Sequence, residues 1–376
     1  MCIRDSSYIV EAVFSSEENR WSDLLTDTVA GTQILIYPYL YSAHRVTIHN
    51  RVRTLEIIIV HLTGDMVPVG RSSVTLRSLF SLRSAKGPCV YRGLKISWYL
   101  PSMKVTRLNN FFGAEIQGID AANPTDDNIE EIKQLWLTHK VLVLRNQVLT
   151  PEEHVDFSRN FGDLEVHPFG NIHPEHPEVL VLETGGETGK QSYSATDWHS
   201  DVTYREKPPM GSILRGKVIP PVGGDTCFAD AAEAYNRLDP EIQIIVDELS
   251  AIHDWNKMTS QGKNPLRDNT LDEMRQRFPL ISHPVIRTHP ETKERAIFTN
   301  NFFTSHIDGV DEEESEYLLR KLAEAIRDPS IQIRVRWDET TVVMWDNRCV
   351  QHTGTDDFLP AHRKMERTAI AGDRPF

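Results

Sequence analysis

A histidine and an aspartate stand two residues apart in TDWHSDVTY (196–204), and a further histidine, His352, follows 153 residues after the first in WDNRCVQHTG. On an extended strand, residues i and i+2 project to one face, so His199 and Asp201 would present an imidazole beside a carboxylate. Taken alone the pair is ordinary: a chain with 15 histidines contains such spacings by chance, and most are hydrogen-bonded surface pairs. Adding His352 changes the chemistry. Two neutral imidazoles and one carboxylate form a facial ligand set that leaves three adjacent positions of octahedral Fe(II) open to a chelating co-substrate and dioxygen. Zinc would call for a third histidine or for H-E-x-x-H, and the sequence has neither pattern.

Eleven residues beyond His352 comes Arg363, and four further on Arg367, both in the run leading to ERTAIAG. A spacing of four on a strand keeps both guanidiniums on one face, directed at the cavity that would hold the metal. Arginine is the favoured side chain for gripping a carboxylate or sulfonate through paired hydrogen bonds. In a chain of formal net charge -13, such a local pair of cations reads as an anion site.

The same negative balance argues against a nucleic-acid partner, which would call for a basic footprint. No window approaches the ~18 uninterrupted apolar residues of a membrane span, so no membrane partner is expected. Cys2, Cys89, Cys227 and Cys349 are scattered without C-x-x-C spacing, which fits a reducing, cytoplasmic location better than a disulfide framework.

Elements able to position these groups begin near Met103. Thr125 or Asp126 can cap a helix running through Lys140, with Ile129, Ile132, Leu135 and Trp136 on one face. VLVLRN has strand length, and Thr150, Pro151 and Glu153 give the next helix a cap, a first-turn proline and a capping box. PEIQIIVDELS, TLDEMRQRF and DEEESEYLLRKLAEAIRD read as amphipathic helices. GSILRGKVI, HPVIRTHP, RAIFTN, IQIRVRW, TTVVMWD and RTAIAG read as strands bounded by turn residues. Many short strands with helical insertions predict a mainly β chain of α+β type, a sandwich or jelly roll with helical cover.

Residues 1–102 follow other rules. Eleven Lys and Arg stand there against eight Asp and Glu, a net of +3, and no period is sustained with caps and turns around it. QILIYPYLY and LEIIIVHL have strand character without an evident partner. The expected organisation is an extension over 1–102, disordered or non-native, with the natural start at Met103 and the functional domain over 103–376; an unrecognised domain is the alternative.

The segments WHSDVT, GGDTCF, HPVIRTHP and WDNRCVQH, with FGDLEVHP and LPAHRKMERTAIAGDRPF, occur in order from about Met103 to Phe376 and resemble the TauD/TfdA family of Fe(II)- and 2-oxoglutarate-dependent dioxygenases. The resemblance implies a double-stranded β-helix, or jelly roll. It implies that His199, Asp201 and His352 bind Fe(II), and that Thr226 and Arg363 hold the distal carboxylate of 2-oxoglutarate in a pocket lined by Trp345. By the same resemblance Arg367 meets the substrate anion, His167 touches the substrate, and Val202, Trp255 and Phe303 pack around it. Two positions depart from taurine dioxygenase: Gly170 replaces a tyrosine that meets the sulfonate, and Ala195 replaces a substrate-contacting asparagine.

The reaction so implied consumes 2-oxoglutarate and O2, yields succinate and CO2, and hydroxylates an unactivated C–H bond of a small anionic organic substrate. On a carbon bearing sulfonate or sulfate, the product would collapse to an aldehyde with release of sulfite or sulfate. An alkylsulfonate or sulfate ester is the expected substrate, with a carboxylate or aryloxy acid as the alternative and an inactive jelly-roll binding protein as a distant one. A homo-oligomer, dimer or tetramer, is expected from the family.

Two local patterns mislead. VLVLETGGETGKQ has a strand and a glycine loop, but Thr184 and Gln191 stand where a phosphate-binding loop needs Gly and Ser/Thr, so it reads as a mobile loop beside the site. His167, His173 and His176 lie in proline-rich loop text and are not expected to bind a second metal.

Overall fold

In the computed structural model, every side chain of Val141–Leu144 is buried because both faces of the sheet containing this strand are covered. The structure describes residues 103–168, 170–186, 196–257 and 271–376, together with six short strands within residues 1–102. The chain divides into two units, Met1–Pro101 and Ser102–Phe376. In the first, Val10–Glu11 pairs in parallel with Ile34–Leu35, while Arg45–Asn50 pairs with Arg53–Ile58 and Ser81–Ser84 with Gly87–Val90 in antiparallel fashion. Ala195 and most of the glycine-rich loop lie outside the described residues.

The strands of the second unit begin with β1 (Lys104–Arg107), β2 (Ala114–Gln117), β3 (Val141–Leu144), β4 (Leu164–Glu165), β5 (Asn171–Ile172) and β6 (Leu180–Thr184). They continue with β7 (Gly211–Val218), β8 (Thr226–Asp230), β9 (Ser250–His253), β10 (Ile281–Pro284), β11 (Ile286–Thr288) and β12 (Arg295–Ile297). The last are β13 (Thr304–Asp308), β14 (Gln332–Val335), β15 (Val342–Asp346), β16 (Val350–Gly354) and β17 (Arg363–Ile370). Nine strands form the large sheet in the order β5-β6-β17-β7-β15-β3-β2-β1, with β4 also against β17. A smaller sheet runs β14-β8-β16, and another β10-β9-β13.

Alternation along the large sheet separates two cores. Val141, Val143, Leu214, Val343, Trp345 and Met365 face the small sheet, where they share one apolar cluster with Phe228, Ile333, Val335 and Val350. Leu142, Leu144, Ile213, Val342, Met344 and Ile370 point the other way, onto Ile129, Ile132 and Trp136 of α1 (Asp126–His139) and Phe157 of α2 (Pro151–Arg159). Strands covered on both sides lose the apolar-polar alternation of a half-exposed strand, which is why VLVL is continuous.

Local chemistry sets the helix ends. Thr125 and Thr150 accept from the backbone N–H of Asn128 and Glu153, whose side chains return the bond to the cap N–H, closing a capping box on each helix. Further helices are α3 (Ala231–Asn236), α4 (Pro240–Val246), α5 (Leu271–Arg277) and α6 (Glu312–Ile326). α4 stops earlier than PEIQIIVDELS implied, since Ser250 already opens β9. HPVIRTHP is divided between β10 and β11, which belong to different sheets. No helix among the described residues is long and apolar enough to cross a membrane.

Candidate functional site

The site lies between the large and small sheets. His352 sits on β16 opposite Phe228 of β8, and Thr226, two residues from Phe228, therefore shares its face. His199 belongs to no long strand; it makes an isolated antiparallel bridge to His352, with ring centroids 4.2 Å apart. Asp201 then lies in a turn, not on a continuing strand as the H-x-D spacing implied. The turn still brings the carboxylate to both imidazoles: Asp201 Oδ1 is 3.9 Å from His199 Nε2 and 4.0 Å from His352 Nε2. Val202 follows with φ 56°, a left-handed conformation that is costly for a β-branched residue and is held here by burial.

Two of the three donors, His199 and Asp201, are oriented by hydrogen-bonded neighbours. His199 Nδ1 lies 2.8 Å from the Asp197 carbonyl, which fixes its proton there and leaves the Nε2 lone pair toward Asp201. Asn347 accepts from the Asp201 N–H at 2.6 Å and donates to the carbonyls of Asp201 and Pro209. Asp201 Oδ2 accepts from Ser212 Oγ at 2.9 Å, and Oδ1 accepts from Arg367 Nη1 at 2.5 Å. Burial would raise the Asp201 pKa, but Arg367, His352, His199 and the Ser212 hydroxyl together hold it well below the usual carboxylate range. Burial, with His199 alongside, lowers His352 to about 3, so its imidazole is neutral near pH 7. The three ligand atoms lie within 4.8 Å of one another, and His352 Nδ1 has no hydrogen-bond partner among the described residues. Two neutral nitrogens and an ionised oxygen converging in this way fit Fe(II).

The arginines occupy β17 as their spacing predicted. Met365, midway between them, is fully buried in the cluster between the sheets, so Arg363 and Arg367 flank it on that face. Arg363 Nε donates to the Gly224 carbonyl at 3.0 Å. Gly224 has φ 72°, and a Cβ there would come within 3.0 Å of Arg363 Cδ, so the close approach requires glycine. Burial, opposed only in part by Asp225, pushes Arg363 down to about 10. The Thr226 hydroxyl accepts from Trp337 Nε1 at 3.0 Å, which leaves its own proton to donate. Trp345 lies 4.8 Å from the His352 ring, and its indole N–H is buried without a partner among the described residues.

Val202, Trp255 and Phe303 come together in one apolar cluster with Tyr204, Met274 and Phe302. Phe302 stacks on His199 at 4.8 Å and Phe303 meets it edge-on at 6.3 Å, so this cluster walls the histidine side of the site. His167 is half-buried two residues beyond β4, whose partner is the C-terminal end of β17. Gly170 has φ 100° and carries no side chain to offer an anion. Sequence reasoning missed Ser212, Trp337 and Asn347. Asn347 directly follows the strand TTVVMWD, but its partners are 138 and 146 residues away and leave no local signal.

A second group, His289, Asp346 and Cys349, also has its ligand atoms close together. His289 Nδ1 already accepts from the N–H groups of Glu291 and Thr292, so Nε2 carries the proton that it donates to Asp346. Arg348 fills the same carboxylate with two further bonds. The group is a satisfied hydrogen-bond network, not a metal centre.

The sequence model described as "Taurine catabolism dioxygenase TauD, TfdA family" matches residues 104–369. An alkylsulfatase of Acinetobacter baylyi is 31% identical over 277 residues, covering 72% of this chain and 86% of that protein. An alpha-ketoglutarate-dependent sulfate ester dioxygenase of Pseudomonas putida is 32% identical over 269 residues, covering 70% and 87%. Among solved structures, a putative alpha-ketoglutarate-dependent taurine dioxygenase from Burkholderia xenovorans superposes with a TM-score of 0.63 at 36% identity, over 73% of this chain and 94% of that one. Fold and site together define a jelly-roll dioxygenase that depends on Fe(II), 2-oxoglutarate and O2. The chain belongs to the TauD/TfdA family.

Proposed function

We propose that this dioxygenase oxidises an alkyl sulfate ester or alkylsulfonate at the carbon bearing the sulfo group, releasing sulfate or sulfite and an aldehyde. The observation that carries this reading is the buried Arg367 guanidinium, which lies on Asp201 Oδ1 itself. A cation one hydrogen bond from a metal ligand sets an anionic head group next to the metal, and with it the adjoining C–H. Similarity to the alkylsulfatase and the sulfate ester dioxygenase supports the choice of anion.

In this reading His199, Asp201 and His352 hold Fe(II). Bound there, Fe(II) with 2-oxoglutarate and O2 supplies the oxidant for the C–H bond, leaving succinate and CO2. The chain's own work is placement. Arg363 and the Thr226 hydroxyl grip the distal carboxylate of 2-oxoglutarate, Trp337 aims that hydroxyl, and Trp345 lines the pocket. Arg367 and His167 fix the head group, while Val202, Trp255 and Phe303 exclude water from the reacting carbon. Free Cys227 and Cys349 are in keeping with a reducing, cytoplasmic setting.

The test is succinate release across alkyl sulfates, alkylsulfonates and carboxylates, with sulfate and sulfite measured in parallel. Substrate-stimulated succinate with stoichiometric sulfate or sulfite is expected. Succinate without either, seen only with carboxylates or aryloxy acids, would overturn the choice of substrate.

A further inference from the structure

The carbonyl that receives Arg363 belongs to Gly224, and the next residue carries a carboxylate, Asp225. Asp225 is buried, and its charge acts on the Arg363 guanidinium. A carboxylate so placed is a rival for the site. Turned toward Arg363, it would neutralise from within the protein the charge that 2-oxoglutarate has to find, and a tethered competitor is present at high effective concentration. The structure directs it elsewhere: Asp225 Oδ2 accepts from Arg334 Nε at 2.7 Å. Arg363 meanwhile donates through Nε to Gly224, and its two terminal nitrogens make no hydrogen bond among the described residues.

Arg334 stands on β14 opposite Cys227 of β8, while its neighbour Val335 stands opposite Thr226 and packs into the core between the sheets. Side chains alternate along a strand, so Arg334 leaves on the outer face and stays half-exposed. Its Nη2 also donates to Asp357 Oδ2 at 3.1 Å, and Asp357 Oδ1 accepts from the Gly224 N–H at 2.9 Å. One guanidinium therefore spans two carboxylates beside Gly224, a reach that suits the fork of arginine and not the single ammonium of lysine. Ion pairs with a partner this exposed add little to stability. Their larger effect is on the charge that Arg363 meets: without Arg334, two carboxylates would be left beside the carbonyl that receives Arg363, and an incoming ligand carboxylate would be the third anion there.

We propose that Arg334 is a positioning residue for the 2-oxoglutarate grip: by engaging Asp225 from the outer face of the small sheet, it keeps that carboxylate off Arg363 and leaves the Arg363 charge to the co-substrate. Arg334 touches neither the metal ligands nor the co-substrate, and acts through Asp225. The proposal rests on Arg363 as the group that holds the distal carboxylate, and is independent of which anion is oxidised.

Calorimetric titration of the full chain, loaded anaerobically with Fe(II), with 2-oxoglutarate tests it. Arg334→Ala should weaken 2-oxoglutarate about tenfold, the scale of one charge-assisted hydrogen bond, with Fe(II) affinity and the circular dichroism spectrum retained. In turnover the same variant should raise KM for 2-oxoglutarate and keep kcat. The deciding variant is the double one. Arg334→Ala with Asp225→Asn should recover most of the lost affinity, because the rival carboxylate is gone although the bridge is still broken, whereas Arg334→Lys should fall between Arg334→Ala and the unaltered chain. Unchanged 2-oxoglutarate affinity in Arg334→Ala would overturn the proposal. So would a double variant as weak as Arg334→Ala, since the bridge would then serve only to hold the loop. Arg363→Ala, titrated in parallel, separates this from the reading beneath it: retained affinity there would remove Arg363 as the grip and the proposal with it, while loss there beside an unaffected Arg334→Ala would overturn the role of Arg334 alone.

Discussion

His199 and His352 are bonded to each other twice through their backbones, each N–H donating to the other's carbonyl, at 3.0 and 2.8 Å. Two residues 153 apart in the chain are thereby held as neighbours in a ladder, with their ring centroids 4.2 Å apart. Asp201 is attached to the same part of the fold through the side chain of Asn347, which lies in the turn between β15 and β16.

Asn347→Ala should therefore loosen only the carboxylate arm of the site. Loss of a group that orients a ligand lowers metal affinity about 10–100-fold. Fe(II) titration should show a loss of that order with the fold retained, whereas Asp201→Ala should abolish binding and turnover. Unchanged affinity in Asn347→Ala would mean that the turn holds Asp201 without it.

Arg363 is a buried cation whose depressed value, about 10, reports the cost of burial without a full counter-charge. For a basic group the sign is clear: the charged form is penalised in the fold at every pH below that value, so the whole penalty is present near pH 7. A bound dicarboxylate relieves it. Saturating 2-oxoglutarate at ~100 times its Kd should stabilise the protein by about 2.7 kcal/mol in a melting experiment. Arg363→Ala should erase that increment while leaving Fe(II) affinity within a few-fold.

Trp337→Phe removes the donor that points the Thr226 hydroxyl inward and little else. The expected result is a rise of about tenfold in KM for 2-oxoglutarate, the ~1.4 kcal/mol of one misdirected hydrogen bond, with Fe(II) affinity unaltered. A fall in kcat at constant KM would contradict this role.

His154 lies beneath β17, with Nε2 3.2 Å from the Ile213 carbonyl and Thr368 beside it. Burial, with Arg215 close by, lowers it to about 3. The unfolded chain takes up this proton near pH 6.5 and the folded chain does not, so stability is complete above 6.5 and lost as pH falls toward 3. Denaturation between pH 6 and 4 should show His154→Gln with a slope shallower by about 1.4 kcal/mol per pH unit.

A chain beginning at Met103 is expected to fold and turn over as the full chain does, because the described residues of both cores run from Met103 to Ile370. Circular dichroism and succinate release would check this, and failure to fold would show that residues 1–102 are a working part of the protein.

Signals confined to a few neighbouring residues were readable without the structure. The caps at Thr125 and Thr150 are satisfied by bonds spanning three residues, and the common face of Arg363 and Arg367 follows from period two on one strand. Helix α1 begins one residue after its cap and ends within a residue of the expected Lys140. The facial set was legible as donor chemistry, although the strand assumed under H-x-D is in fact a bridge followed by a turn. What stayed hidden depends on tertiary approach: Ser212 to Asp201, Asn347 to Asp201 and Trp337 to Thr226. A serine, an asparagine and a tryptophan are ordinary residues until a strand from far along the chain is laid beside them.

The three donors are thus gauged around β16 and the turn that precedes it, while both arginines are carried on β17. Because Arg367 of β17 also holds Asp201 Oδ1, a shift of that strand would change the grip on the anion and the carboxylate ligand together. The chain is built with its workpiece clamp bolted to one arm of the torch, so a change in how the anion is gripped is felt at the metal's carboxylate.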